Sequence, residues 1–281
     1  MKRLLCLGYG YVARHLAARL RGAGWSVAGT FRDASRIEAL QREGVEPAFW
    51  RDAGAAFLDA DAFLVSTPPG ESGCPSLALA AATRAAPAYI GYLSTNGVYG
   101  DHQGAVVDET SPLLATSPRG LARIAAEESW RAFAAARGAR LVIFRLPGIY
   151  GPGRSAFDQI REGRAQRIYK PGQVFSRMHV DDIAAAVEAS LRRPQAGTLF
   201  NLADDEPAPP QDVIEHACRL LGAPPPPLVP FEQAALSEMA RSFYADNKRV
   251  SNALMKSALQ ATLRYPTYRE GLAAILAGER L

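Results

Sequence analysis

Gly8-Tyr9-Gly10-Tyr11-Val12-Ala13 stands between a short apolar run, Leu4 to Leu7, and a helical pattern from Val12 to Arg21. Few chain geometries need two glycines at such a junction. Gly8 suits a tight turn out of a strand, and Gly10 lets the backbone approach a pyrophosphate closely. Ala13 stands where a third glycine is usual and is still small enough for close helix–strand packing. The helix that opens at Tyr11 and Val12 offers N–H groups and the positive end of its dipole to an anion. The expectation is a βαβ unit that binds a dinucleotide. A purely structural turn is the alternative.

The second strand, Val27 to Thr30, is where the adenine ribose would be read. Chains that bind NAD place Asp or Glu at its end, about 20 residues after the glycines. Here Thr30 holds that place, followed by Phe31, Arg32 and Asp33. Without an acid, a 2′-phosphate meets less repulsion, and Arg32 can grip it through a charge-assisted fork. Arg14 is a second basic residue within reach. These residues point to NADP(H) rather than NAD(H), while Asp33 keeps NAD open and Arg32 could be a solvated helix-start residue.

Apolar runs alternate with helical segments through the first half. Strands are expected at Leu4–Leu7, Val27–Thr30, Pro47–Trp50, Phe63–Ser66, Tyr89–Ser94 and Leu141–Leu146. Helices are expected at Val12–Arg21, Ile37–Arg42, Leu77–Ala86 and Arg119–Ala136, the last with Pro118 in its first turn. Strands that are apolar almost throughout belong to a parallel sheet covered on both faces. The fold class is therefore α/β, a doubly wound Rossmann sheet. Residues 1–153 form the dinucleotide-binding domain, completed by about 174–203, and 154–281 mainly form a smaller substrate-facing lobe. In that lobe Arg154 to Arg167 reads as helical, Asp181 as the N-cap of a helix to Leu191, Leu199–Leu202 as a strand and Val213–Leu221 as a helix.

Composition excludes several classes. The net charge of +4 comes from dispersed arginines, with Lys2, Lys170, Lys248 and Lys256 as the lysines, so no basic helix suggests nucleic acid. Cys6, Cys74 and Cys218 are too far apart for a disulfide framework or a metal pair and suit a reducing compartment. No apolar stretch is long enough to span a membrane, and the N-terminal apolar run is too short for a signal peptide. No nucleophile elbow occurs, and the histidines are isolated. A cytoplasmic protein with a small-molecule substrate is expected.

Four motifs come in a telling order: the Gly8 turn, Ser94-Thr95-Asn96-Gly97-Val98-Tyr99-Gly100, Arg145-Leu146-Pro147-Gly148-Ile149-Tyr150-Gly151-Pro152-Gly153, and His179-Val180-Asp181-Asp182. Together they resemble the extended short-chain dehydrogenase/reductase superfamily, in its NAD-dependent epimerase/dehydratase group. The resemblance extends to Tyr265-Pro266-Thr267-Tyr268-Arg269-Glu270-Gly271. It implies a Ser or Thr that hydrogen-bonds the substrate oxygen, a Tyr that transfers the proton, and a Lys four residues later that lowers the Tyr pKa and holds the nicotinamide ribose. Thr95 matches the first. The other two positions fall on Arg119 and Arg123. An arginine stays protonated at any useful pH and cannot replace the phenol as acid or base. Arg123 could still touch the ribose or a phosphate. Arg119 could grip a substrate carboxylate or phosphate, or close over the cofactor. Both could instead be a solvated helix face.

The resemblance also places Thr67 and Pro68 on the adenine side, and Pro147 and Ile149 near the nicotinamide amide. It places Arg154, Arg161 and Arg177 in the region where sugar-nucleotide members bind a diphosphate. Tyr99, Tyr150, His102 and His179 are the residues whose chemistry could replace the missing acid/base, although packing, solvation or loop orientation accounts for each. Dimerisation through the Arg119–Ala136 helix is common in the family. Two functions follow: an NADP(H)-binding oxidoreductase or epimerase-like enzyme acting on a small anionic or sugar-derived substrate, and a non-catalytic NADP(H)-binding sensor or scaffold.

Overall fold

The computed structural model describes residues 1–279. Seven strands form one sheet: β1 (Arg3–Leu7), β2 (Ser26–Phe31), β3 (Glu46–Phe49), β4 (Ala62–Val65), β5 (Tyr89–Thr95), β6 (Arg140–Leu146) and β7 (Leu199–Asn201). Their order is β3-β2-β1-β4-β5-β6-β7, and every neighbouring pair is parallel. This is the doubly wound α/β sheet expected from the sequence. The chain leaves β1 in one direction to build β2 and β3 and then crosses back to β4, so a crevice opens at the carboxyl ends of β1 and β4.

Burial explains the continuous apolar runs. In β1, Leu4 and Cys6 enter one core with Leu16 and Leu20 of helix α1 (Tyr11–Gly22), while Leu5 and Leu7 enter another with Phe63, Tyr92 and Trp130. Both faces are covered, and no solvent side exists to select polar residues. Helix α2 (Pro118–Arg137) covers the second face with Ala126, Trp130 and Ala134. Ser117 caps it by accepting from the Gly120 N–H at 3.2 Å, and Gly138, with φ of +64°, ends it.

A third core joins Phe157, Ile214, Cys218, Tyr268, Leu272 and Ile275. It lies among helices α4 (Pro210–Leu221) and α5 (Tyr268–Glu279) and the short helix Ala156–Arg161. Three two-stranded parallel pairs complete the fold: Gly148–Tyr150 with Arg177–His179, Arg167–Tyr169 with Leu228–Pro230, and Val106–Val107 with Arg249–Val250.

The structure differs from the sequence expectation in three places. The stretch 154–167 is a single short helix, Ala156–Arg161, opened by a Ser155–Asp158 capping box; Gly163, at φ +66°, follows it and Arg167 begins a strand. The helix expected to Ala86 spans Pro75–Ala81, after which Thr83 turns the chain, its hydroxyl donating to the Ala80 carbonyl at 2.9 Å and accepting from the Ala85 N–H at 3.2 Å. The N-cap of helix α3 (Val180–Arg192) is His179, not Asp181: His179 Nδ1 accepts from the Asp181 N–H at 3.2 Å. Asp182 instead ties α3 to the following chain, accepting from the N–H groups of Arg264 (2.8 Å) and Tyr265 (2.9 Å). Among the described residues no helix is long and apolar enough to cross a membrane.

Candidate active site

The turn after β1 is built from the inside. Gly8 has φ of +87°, and a Cβ there would lie 2.8 Å from Thr67 Cγ2. Its N–H donates to Thr30 Oγ1 at 2.7 Å, and the Thr30 hydroxyl donates to the Cys6 carbonyl at 3.3 Å. Thr30 is buried, so it fixes the turn from behind rather than meeting a ligand with its side chain. The Tyr9 ring fills the space over Gly29, where a Cβ would stand 2.8 Å from Tyr9 Cδ2. Its hydroxyl donates to Glu43 at 2.8 Å, and burial and the Glu43 carboxylate hold its pKa above the ordinary phenol value. Ser66, at the end of β4, donates to the Gly8 carbonyl.

Gly10 differs from Gly8. No protein atom lies within 4 Å of the position a Cβ would take. It is the N-cap of α1, and no side chain caps that helix. Tyr11 and Val12 therefore present backbone N–H groups at an open helix start, while the Val12 side chain is core. A close-approach glycine at an uncapped helix N-terminus fits a dinucleotide diphosphate. Arg14, one turn on, forms an ion pair with Glu43.

Beside the turn lies a cavity of about 330 Å³ lined by Gly8, Gly10, Thr30, Arg32, Thr67 and Pro68. Arg36 and Trp50 also line it, two residues that sequence reasoning passed over. The Arg32 guanidinium lies over the Trp50 ring, 5.0 Å from its centroid. Asp33 caps the Ala34–Arg36 turn, accepting from the Ser35 N–H at 3.0 Å, which holds its carboxyl below the usual range. Thr67 Oγ1 hydrogen-bonds Ser76 Oγ.

At the end of β5, Thr95 Oγ1 accepts from the Gly97 N–H at 3.1 Å, which leaves its own proton available to donate. Helix α2 starts against this turn: a Cβ on Gly120 would stand 3.2 Å from the Gly97 carbonyl oxygen. Arg119 is exposed on the first turn of α2, its guanidinium 5.7 Å from the centroid of the exposed Phe243 ring. Arg123 turns back to the sheet, donating to the Leu93 carbonyl at 2.8 Å and the Tyr92 hydroxyl at 3.2 Å. Burial pushes the Tyr92 phenol up to about 12, with Arg123 opposing the shift. Pro147 is buried immediately after β6, and Ile149 packs against the core in the strand that follows.

The four residues whose chemistry could replace the Tyr are otherwise engaged. Tyr99 is fully buried and donates to Asn201 Oδ1 at 2.7 Å. Tyr150 donates to the Thr267 carbonyl at 3.3 Å, and burial raises its pKa strongly. His179 caps α3, and burial lowers its pKa to about 4. His102 Nε2 pairs with the Pro112 carbonyl at 3.2 Å in an exposed loop. Arg161 and Arg177 stack on Phe157 and Tyr268 of the third core, whereas Arg154 lies against Tyr11.

Comparison with known proteins agrees with this geometry. The model of the NAD dependent epimerase/dehydratase family matches residues 75–203. A functionally unknown conserved protein from Silicibacter pomeroyi DSS superposes with a TM-score of 0.90 at 46% identity, covering 99% of each chain. The 3-diazoavenalumate denitrifying reductase of a Streptomyces species is 27% identical, over 97% of this chain and 99% of that protein. The human epimerase family protein SDR39U1, solved with NADPH, has the same fold at 20% identity, with a TM-score of 0.79 over the whole of both chains.

Proposed function

We propose that the chain is an NADP(H)-dependent oxidoreductase of the NAD dependent epimerase/dehydratase family, whose model matches residues 75–203, and that it acts on a small anionic substrate. The observation that carries the proposal is the charge at the end of β2. Thr30 replaces the usual acid and is buried, while Arg32 and Arg36 line the cavity and Asp33 is bound to its own turn. Two guanidiniums suit a 2′-phosphate, and Asp33, the carboxylate that lines the same cavity, accepts from the Ser35 N–H of its own turn.

Bound cofactor would supply a hydride. The Thr95 hydroxyl can donate to a substrate carbonyl oxygen, because its acceptor side is already taken by Gly97. Arg119 carries a permanent positive charge beside that turn, suited to a carboxylate or phosphate on the substrate. Reduction of a carbonyl there would leave negative charge on its oxygen, which the Thr95 hydroxyl would stabilise by hydrogen bonding while solvent delivers the proton. The Streptomyces relative is named a reductase, in keeping with this chemistry.

Fluorescence titration with NADPH and NADH tests the cofactor. Arg32→Ala is expected to weaken NADPH binding about tenfold or more and leave NADH little changed. Equal affinity for both cofactors, unaffected by the substitution, would remove the NADP reading.

One observation favours a second reading, a non-catalytic NADP(H) sensor or scaffold. Arg123 is locked onto Leu93 and Tyr92, and none of the four alternative acids is free to serve Thr95. Ligand binding would then shift an assembly or partner equilibrium without turnover. Turnover abolished by Thr95→Ala would eliminate that reading.

A further inference from the structure

The turn after the Gly148–Tyr150 strand is fastened directly to the first residue of α1. Gly151 and Arg154 exchange two backbone hydrogen bonds, of 3.1 and 3.0 Å, and Gly153 between them has φ of +70°. The Tyr11 hydroxyl donates to the Pro152 carbonyl at 3.0 Å. Gly151 comes so close that a Cβ would overlap the Tyr11 hydroxyl oxygen. Glycine is thus required at 151 by approach and at 153 by conformation. The turn places Arg154 with its guanidinium 5.8 Å from the Tyr11 ring centroid.

Tyr11 follows Gly10 and is the first residue of α1. Arg154 therefore lies beside the first residue of that helix, although it follows Tyr11 by 143 positions in the chain. It is exposed, and among the described residues it forms no ion pair. Two arginines of this helix are paired with acids, Arg14 with Glu43 and Arg19 with Glu188 at 2.8 Å, and Arg21 donates to the Glu43 backbone carbonyl. Asp158, the acid nearest in sequence, is held by the Ser155 N–H and hydroxyl, each at 2.7 Å.

We propose that Arg154 closes over the diphosphate of the bound dinucleotide, completing from the second half of the chain a site that the Gly8–Gly10 turn only begins. The helix start contributes about half a unit of positive charge, against two negative charges on a diphosphate. A guanidinium supplies a full charge and a two-pronged set of donors. Tyr11 is the hinge of this arrangement, because it anchors the turn and carries Arg154 on its ring. The inference assigns Arg154 to the cofactor, not to the substrate, and it rests on the NADP(H) reading above.

The test is calorimetric titration of the full chain and of Arg154→Ala with three ligands: NADPH, 2′-phospho-ADP-ribose and adenosine 2′-monophosphate. The first two carry the diphosphate and the third does not. Arg154→Ala is expected to weaken both diphosphate ligands about tenfold, with adenosine 2′-monophosphate and the unfolding midpoint unchanged. Arg32→Ala should instead weaken all three. Wild-type binding of NADPH that Arg154→Ala leaves intact overturns the assignment alone. Equal weakening of adenosine 2′-monophosphate by Arg154→Ala overturns it also, since the effect would not follow the diphosphate. Failure of the wild type to bind any of the three removes the cofactor reading together with it.

Discussion

Arg145 and Glu127 face each other with both side chains 4% exposed, Arg145 Nη2 at 2.8 Å from Glu127 Oε2 and Nε at 3.2 Å from Oε1. The pair is the centre of a buried polar network. Ser94 donates to Glu127 Oε1 at 2.5 Å, Arg145 Nη1 donates to the Tyr99 hydroxyl at 3.0 Å, and Tyr99 donates onward to Asn201. It joins β5, β6, β7 and α2 behind Thr95 and Arg119. Removing one partner leaves an uncompensated buried charge. Glu127→Ala is expected to cost about 3–5 kcal/mol, whereas the double replacement of Glu127 and Arg145 by leucine should cost much less. Urea unfolding of the single and double variants checks this. A single-variant cost within experimental error of zero would mean that the pair is solvated in solution.

The two turn glycines separate stability from binding. Gly8 needs φ of +87° and has Thr67 Cγ2 2.8 Å from its virtual Cβ, so Gly8→Ala should lower stability by about 1–2 kcal/mol from the backbone alone, with the overlap adding to it. Gly10 has ordinary extended φ and open space around its virtual Cβ. Gly10→Ala should therefore keep the unfolding midpoint and lose affinity for NADPH, because the methyl would occupy the approach of the phosphates. Thermal melts and cofactor titration on both variants read the two effects. A Gly10→Ala protein with undiminished affinity would place the diphosphate elsewhere.

These contrasts show which parts of the site can be read in sequence. Gly8, Gly10 and the apolar strands follow from local rules, since a two-face-buried parallel strand must be apolar throughout and a tight turn must be glycine. Arg145 breaks its apolar run visibly, but its partner Glu127 sits among ordinary helix residues. Glu127 is distinguished only by the way α2 lies on β5 and β6. Trp50 lines the cavity because β3 lies beside β2, a pairing that sequence leaves open, and Arg36 lines it from the Ala34–Arg36 turn that follows β2. His179 displaces Asp181 as the cap of α3 because its buried ring accepts from the Asp181 N–H, a histidine in a place where an acid is the commoner choice. Arg154 meets Tyr11 through a tertiary contact that no spacing rule encodes.

Asp204 gives the fold a pH signature. It is 2% exposed, and burial pushes its carboxyl up to about 8, with Arg177 opposing the shift. An acid with a folded pKa above its unfolded value of about 4 binds a proton in the folded state that the unfolded chain has released. Stability therefore falls as pH rises between those two values, and the loss is complete above pH 8. His179 works in the opposite sense. Its pKa is depressed to about 4, so stability rises with pH between about 4 and the unfolded histidine value near 6.5. Below pH 6.5 the two slopes oppose each other, and from about 6.5 to 8 the Asp204 slope acts without the His179 contribution. Asp204→Asn keeps the size and removes the charge. It is expected to stabilise the protein more at pH 8 than at pH 6.5, which melting midpoints at the two pH values would record. A shift that is the same at both would mean that Asp204 is ionised throughout, held by Arg177 against the cost of burial.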